Sequence, residues 1–340
     1  MTGDHDLEPL PPERAKEMYH QEREGEVSDR TLQAHHYRLV QFIRWCGQEG
    51  IDNMNDLTGR RLHEYRLWRK DDGDLSAVSL RTQLETLRVF IRFCETVDAV
   101  TEGLHDKILL PTLSTEDEQR DEILRTEQAE TVLDHLRRFE YASRQHALLR
   151  LLWHTGMRLG AIHGLDVDDY DSDEERLQVR HRPETMTALK NGAEGERLVA
   201  LDPQTCSVLD DWIAHRRPDV TDDHGRDPLF TTDNGRIAQT TIRETVYKVT
   251  RPCYAGDECP HDRNPDDCDG TLYGRHSRCP SSVSPHSVRR GSITHFLTED
   301  VPEQVVSDRM NVSTDVLDKH YDKRSEEVKM EQRRGYLDDV

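Results

Sequence analysis

SPHSVRRGSITHFL, residues Ser284 to Leu297, opens as a helix and carries an unusual load. Ser284 is a good N-cap, and Pro285 suits the first helical position, where its missing N–H would have no intrahelical partner. His286 and Arg289 lie three apart and share one face of the first turn. The start of a helix attracts anions, not cations. A cationic pair there, in a chain of formal net charge −21, raises the question of which anion it faces.

Working outward, the segments upstream read as further helices: LRTEQAETVLDHLRRFE and SRQHALLRLLWHTGMRLGAIHGL, with Gly156 breaking the second and Arg158 opening the next. Two strand-like pieces follow, RLQVRH and ERLVALD, joined by LKNGAEG. The Asn-Gly and Gly of that segment predict a hairpin turn with Lys190 at it. Helices resume in TTIRETVYKV, EQVVSDRM and STDVLDKHY, and SEEVKMEQRRGYLDDV is long enough for one more. Nearer the N-terminus, capped amphipathic helices are predicted in SDRTLQAHHYRLVQFIRWCGQEG, TGRRLHEYRLWRK and SAVSLRTQLETLRVFIRFCETV. The fold class expected is mainly α with a small β-sheet in the C-terminal domain. The divisions expected are a flexible acidic arm over 1–26, a helical domain over 27–108, a linker over 109–124 and a second domain over 125–335.

The 340 residues are long for one core, which favours two domains. Asp and Glu total 67 against 46 Lys and Arg, and only 8 of those 46 are lysine. Carboxylate spread along the whole length with few lysines is the texture of a protein that works in molar salt; the alternative is an ordinary acidic protein that avoids nucleic acid. In concentrated salt, counterion release no longer drives DNA binding, so the charge neither excludes DNA nor points to it. No apolar run approaches a membrane span and no signal segment opens the chain, so a cytoplasmic protein with no membrane partner is expected.

Five residues of the second half stand out in chain order: Arg158 in HTGMRLGAI, Lys190 in LKNGAEGERLVAL, His286 and Arg289 in PHSVRRGSITHFL, and Tyr321 in RMNVSTDVLDKHYD. In order and spacing, behind a helical domain, these motifs resemble the tyrosine recombinase (phage integrase) family, in a halophilic archaeal form. The resemblance covers about residues 28 to 330. It implies a SAM-like core-binding domain followed by a catalytic domain. It also implies cleavage and rejoining of double-stranded DNA at paired recombination sites by a homo-tetramer, through a covalent 3′-phosphotyrosine on Tyr321. Arg158 and Arg289 would clamp the phosphate, His286 would hydrogen-bond it, and Lys190 would protonate the departing 5′ oxygen. The chemistry suits the groups: guanidinium forks bind oxyanions in pairs and keep their protons, and a lysine pKa can be lowered by its surroundings. One phosphodiester is exchanged for another, so catalysis calls for no cofactor.

Two positions depart from the family pattern. Ala161 stands where an acidic residue is common three after the first arginine, and Val312 where His or Trp is common nine before the nucleophile. These departures recommend a rival reading, a DNA-binding regulator that keeps the fold without the reaction; a relaxing topoisomerase of the same chemistry is another. Finally, an insert over 251–281 holds Cys253, Cys259, Cys268 and Cys279 among Pro, Gly and Asp. In a reducing compartment such a cluster suggests a structural zinc more than disulfides, with His261 and His276 in reserve. A disordered insertion with unligated thiols is the alternative.

Overall fold

The computed structural model describes residues 7–114, 122–317, 324 and 326–335. The chain divides into two compact units, Met1–Arg120 and Asp121–Val340. The first is helical: α1 (Pro12–Arg23), α2 (Asp29–Gln48), α3 (Gly59–Asp72) and α4 (Ala77–Thr96). Ser28, Thr58 and Ser76 each accept a backbone N–H at the start of α2, α3 and α4, which stops the chain fraying there. Leu39, Phe42 and Trp45 of α2 meet Leu62 and Tyr65 of α3 and Leu84, Leu87 and Phe90 of α4 in one apolar core.

The region expected to be a flexible arm is not one throughout. Pro12 starts a real helix, and Ala15 and Tyr19, one turn apart, bury completely on the core. The Tyr19 hydroxyl pairs with His35 Nδ1 at 2.8 Å. Two apolar residues per three turns are too few to register against the surrounding charge, yet they suffice when the partner surface is already built. Of the expected linker, residues 115–121 lie outside the described residues; Leu124, at its end, is buried in the second unit.

The second unit is organised on α6 (Arg144–Thr155), whose Ala147, Leu148, Leu149, Leu151 and Leu152 are buried on several sides, the mark of a central helix. Against it pack α5 (Thr126–Phe139), α8 (Pro203–His215), α9 (Gln239–Val249) and α10 (Pro285–Thr298). The short helix α7 (Leu159–Gly164) follows α6. One antiparallel sheet holds β1 (Tyr170–Asp171), β2 (Arg176–Val179) and β3 (Arg197–Ala200) in that order, with Leu177 opposite Val199. A second is the pair β4 (Thr231–Thr232) and β5 (Gly235–Arg236). Helices α11 (Glu303–Met310), α12 (Thr314–Val316) and α13 (Glu326–Gly335) end the described chain.

The β2–β3 connection is not the tight turn that Asn-Gly suggested. Asn191 has φ −102°, outside the left-handed region that such a turn needs, and the chain makes a wide excursion with two short 3₁₀ turns. Below α7 lies a network of buried charge. Arg182 grips Asp169 with both terminal nitrogens, and Arg226 and Arg236 share Asp166 and Asp222. Arg236 also donates to the carbonyls of His163 and Leu165, so the C-terminal end of α7 is held by cations. Among the described residues no helix is long and apolar enough to cross a membrane.

Candidate active site

Gly156 closes α6 in the left-handed conformation (φ +57°), and Arg158 is the N-cap of α7. This turn aims Arg158 toward the end of α11, where its guanidinium donates to the Asn311 carbonyl at 2.7 Å. Arg289, one turn into α10, is 1% exposed and reaches the same place. It donates to the carbonyls of Gly156 (2.5 Å), Met310 (2.8 Å) and Asn311 (3.5 Å). The two arginines, 131 positions apart in sequence, thus converge on one carbonyl. That carbonyl belongs to the end of a helix, where the last C=O groups lack intrahelical partners and carry the negative end of the dipole.

His286 sits at the solvent-facing edge of the same cluster. Partial burial and then the positive charges of Arg290, Arg289, Arg158 and Lys190 hold its pKa down at about 4. The imidazole is therefore neutral near pH 7, with one N–H to donate and one lone pair to accept. The same charges locate Lys190, which is exposed on the β2–β3 excursion, within the field of the histidine. Tyr321 lies outside the described residues. The segment leading to it is anchored, because Val306, Met310, Val312 and Leu317 are buried with Ile293 and Leu297 of α10 in a small core of their own.

Sequence reasoning passed over three members of the cluster. Arg197 on β3 donates to the carbonyls of Arg309 (2.8 Å) and Gly195 (3.0 Å). Burial first, then Arg289, Arg158 and Arg309, lower its pKa to about 10. Arg309 donates to the carbonyls of Ala200 and His154 and lies over the Phe296 ring. Asn311, in the left-handed region at φ 51°, accepts from the Asn191 side chain at 3.1 Å. A signal for Arg197 was present: in RLVA it stands two before Val199 and shares that residue's face of the strand, so the arginine is turned inward. Ala161, at the position where an acidic group was missed, is buried in the hydrophobic core.

The four cysteines of the insert, Cys253, Cys259, Cys268 and Cys279, line one small open pocket, with His261 on its wall. All four are free thiols. Burial and then, among its neighbours, the thiols of Cys279 and Cys259 raise the pKa of Cys253. His276 is turned away, with Nδ1 against the Gly270 carbonyl, and His261 Nε2 pairs with Ser281. Among the described residues no group of three or more His, Cys, Asp or Glu is drawn together closely enough to hold a metal ion, so the zinc site expected at these cysteines is not formed as such.

The profile of the phage integrase family matches residues 122–326, and that of the phage integrase N-terminal SAM-like domain matches residues 19–96. The chain is 25% identical over 307 residues to tyrosine recombinase XerD of Mycobacterium leprae, covering 84% of each chain. It is 21% identical over 300 residues to tyrosine recombinase XerC of Natranaerobius thermophilus, covering 86% of this chain and 88% of that one. Two solved structures share its fold. A Tn1549 transposon integrase in complex with a circular intermediate DNA aligns over 94% of this chain and 99% of its own (TM-score 0.65, 16% identity). A lambda integrase dimer bound to a COC′ core site aligns over 93% of this chain and 78% of its own (TM-score 0.64, 12% identity).

Proposed function

This chain belongs to the phage integrase family, and from that premise we propose how it acts as a tyrosine recombinase, breaking and rejoining DNA strands. Tyr321 is the nucleophile. Its phenol oxygen bonds to the scissile phosphorus, the P–O5′ bond breaks, and Lys190 gives a proton to the departing 5′ oxygen. Arg158 and Arg289 hold the non-bridging oxygens, where negative charge grows in the transition state. Neutral His286 donates its N–H to the same phosphate, and its other ring nitrogen takes the proton that the phenol loses. The second strand-transfer step runs the same exchange backward with a new 5′ hydroxyl, so energy is conserved in the phosphotyrosine. The working assembly is a homo-tetramer on paired duplex sites, as the resemblance implies.

What supports this reading is the meeting of Arg158 and Arg289 on the Asn311 carbonyl, with His286 in the field of both arginines and of Lys190. The test is a nicked duplex whose cleavage releases a short fragment and traps the covalent adduct. Wild-type protein should form an adduct that runs as a protein–DNA species on denaturing gels, and Tyr321→Phe should form none. An undiminished adduct with Tyr321→Phe overturns the assignment.

The shared pocket of four cysteines supports a structural zinc in the insert, which leads directly into the helix carrying His286 and Arg289. The thiols would have to draw in to bond lengths of about 2.3 Å around a tetrahedral ion. Protein purified under reducing, chelator-free conditions should carry one zinc per chain, and Cys268→Ser should lose the metal together with several degrees of thermal stability. A metal-free preparation with the same melting temperature as a zinc-supplemented one overturns this part.

The composition, 67 Asp and Glu against 46 Lys and Arg, supports a halophilic source.

A further inference from the structure

Arg197 is a charge in an unfavourable place. It stands among Arg158, Arg289 and Arg309, and it donates to two carbonyls, Gly195 on one side and Arg309 on the other. Gly195 ends the excursion that carries Lys190, and Arg309 begins the run of three carbonyls, 309 to 311, that seats Arg197, Arg289 and Arg158 in turn. A second tie runs parallel to the first, from the Asn191 amide, next to Lys190, to the side chain of Asn311. The two surfaces are closely fitted: a Cβ on Gly195 would stand 3.1 Å from Asn311 Nδ2 and 3.2 Å from Leu189.

We propose that Arg197 is a positioning residue for the reaction. By holding the Gly195 carbonyl against the Arg309 carbonyl, with Asn191 and Asn311 as the second tie, it fixes the Lys190 loop at a set distance from the arginine clamp. This rests on the reading of Lys190 as the acid that protonates the 5′ oxygen. A long exposed side chain such as Lys190 protonates a leaving group efficiently only if its loop is held still. The planar fork of Arg197 joins two carbonyls at once, which the single ammonium of a lysine does not reproduce in geometry.

The test compares an all-oxygen nicked duplex with one whose bridging 5′ oxygen is sulfur. A thiol has a pKa of about 8.5 and leaves as the thiolate without a proton, whereas an alkoxide needs one. Arg197→Lys and Arg197→Gln should slow adduct formation on the oxygen substrate by roughly 10²-fold. On the sulfur substrate both variants should return to within a few-fold of wild type, with DNA affinity little changed. Asn191→Ala should show a smaller defect of the same pattern. Lys190→Ala is the control and should be rescued by sulfur in the same way.

If Arg197 serves only as positive charge for the phosphate, Arg197→Gln loses equally on both substrates while Arg197→Lys is nearly normal, and the inference is wrong. It is equally wrong if neither variant is slowed. If Lys190→Ala itself is not rescued, the assignment of Lys190 as the acid falls, and the inference with it. Folding does not confuse the result, because the sulfur substrate measures the same protein sample.

Discussion

At the scale of single residues, the site gathers guanidinium groups on helix-end carbonyls: Arg158 and Arg289 both donate to the end of α11, and Arg289 also donates to the end of α6. Such carbonyls carry the negative end of a helix dipole, a partial charge weaker than that of a phosphate oxygen. His146 and His154 show the other side of the same chemistry. Burial above all lowers both to about 4, and His154 uses its neutral Nε2 to accept from Arg309 and from the Asp202 amide. Their folded pKa lies below the unfolded value of about 6.5, so the unfolded chain takes up protons first as pH falls. Stability is unaffected above about pH 6.5 and is lost as pH drops toward 4. Asp222, held at about 2 mainly by hydrogen bonds to backbone N–H groups and Arg236 that outweigh its burial, adds a further loss only below about pH 4. Urea unfolding at pH 7.5, 6.5, 5.5 and 4.5 should therefore show a flat upper range and a fall in the midpoint through the lower two. A midpoint constant down to pH 4.5 contradicts buried neutral histidines.

At the scale of elements, close backbone approach sets the clamp. Gly291 on α10 lets the chain at Leu124 cross the helix directly: a Cβ there would lie 1.9 Å from the Leu124 carbonyl oxygen, with Trp153 also in the way. Such a contact has no flexible side chain to yield, so α10 must shift or the Leu124 segment must detach. Gly291→Ala should destabilise by about 1–3 kcal/mol or more. It should also lower adduct formation, because α10 carries both His286 and Arg289. A scanning-calorimetry trace that matches wild type would contradict the crossing. Helix placement was legible from caps and apolar spacing in Ser28, Ser76, Ser143 and Ser284, since both signals are local. The missed helix around Tyr19 and the misjudged turn at Asn191 are cases where the deciding contact is distant. Tyr19 needs α2 and α4 to pack on, and Asn191 faces Asn311, 120 positions away.

For the whole molecule, charge is the governing fact. With net charge −21 and 67 carboxylates, self-repulsion weakens the compact state unless it is screened. The screening length is about 10 Å at 0.1 M salt and about 3 Å at 1 M. Thermal stability should accordingly rise steadily from 0.1 to 2 M KCl, and strand cleavage should persist at concentrations where a basic DNA-binding protein would have been released. A melting temperature that is flat or falls across that range removes the case for a halophilic source. Against that acidic background, Arg158, Arg197, Arg289, Arg290 and Lys190 form a local positive field around His286 and Arg197.

The sequence by itself determined the helical N-terminal unit and the mixed second unit, because caps and periodicity are properties of neighbouring residues; the set Arg158, Lys190, His286, Arg289 and Tyr321 was nominated by the order and spacing of motifs that resemble the family. Tertiary structure alone decided that Arg158 and Arg289 meet on the end of α11, and that Arg197, Arg309 and Asn311 stand beside them. It also drew four cysteines to one pocket wall. The physical reason is that a helix end offers its unpaired carbonyls in a direction set by packing, here by Met310, Val306 and Ile293 in their shared core, and no local pattern records where that direction points.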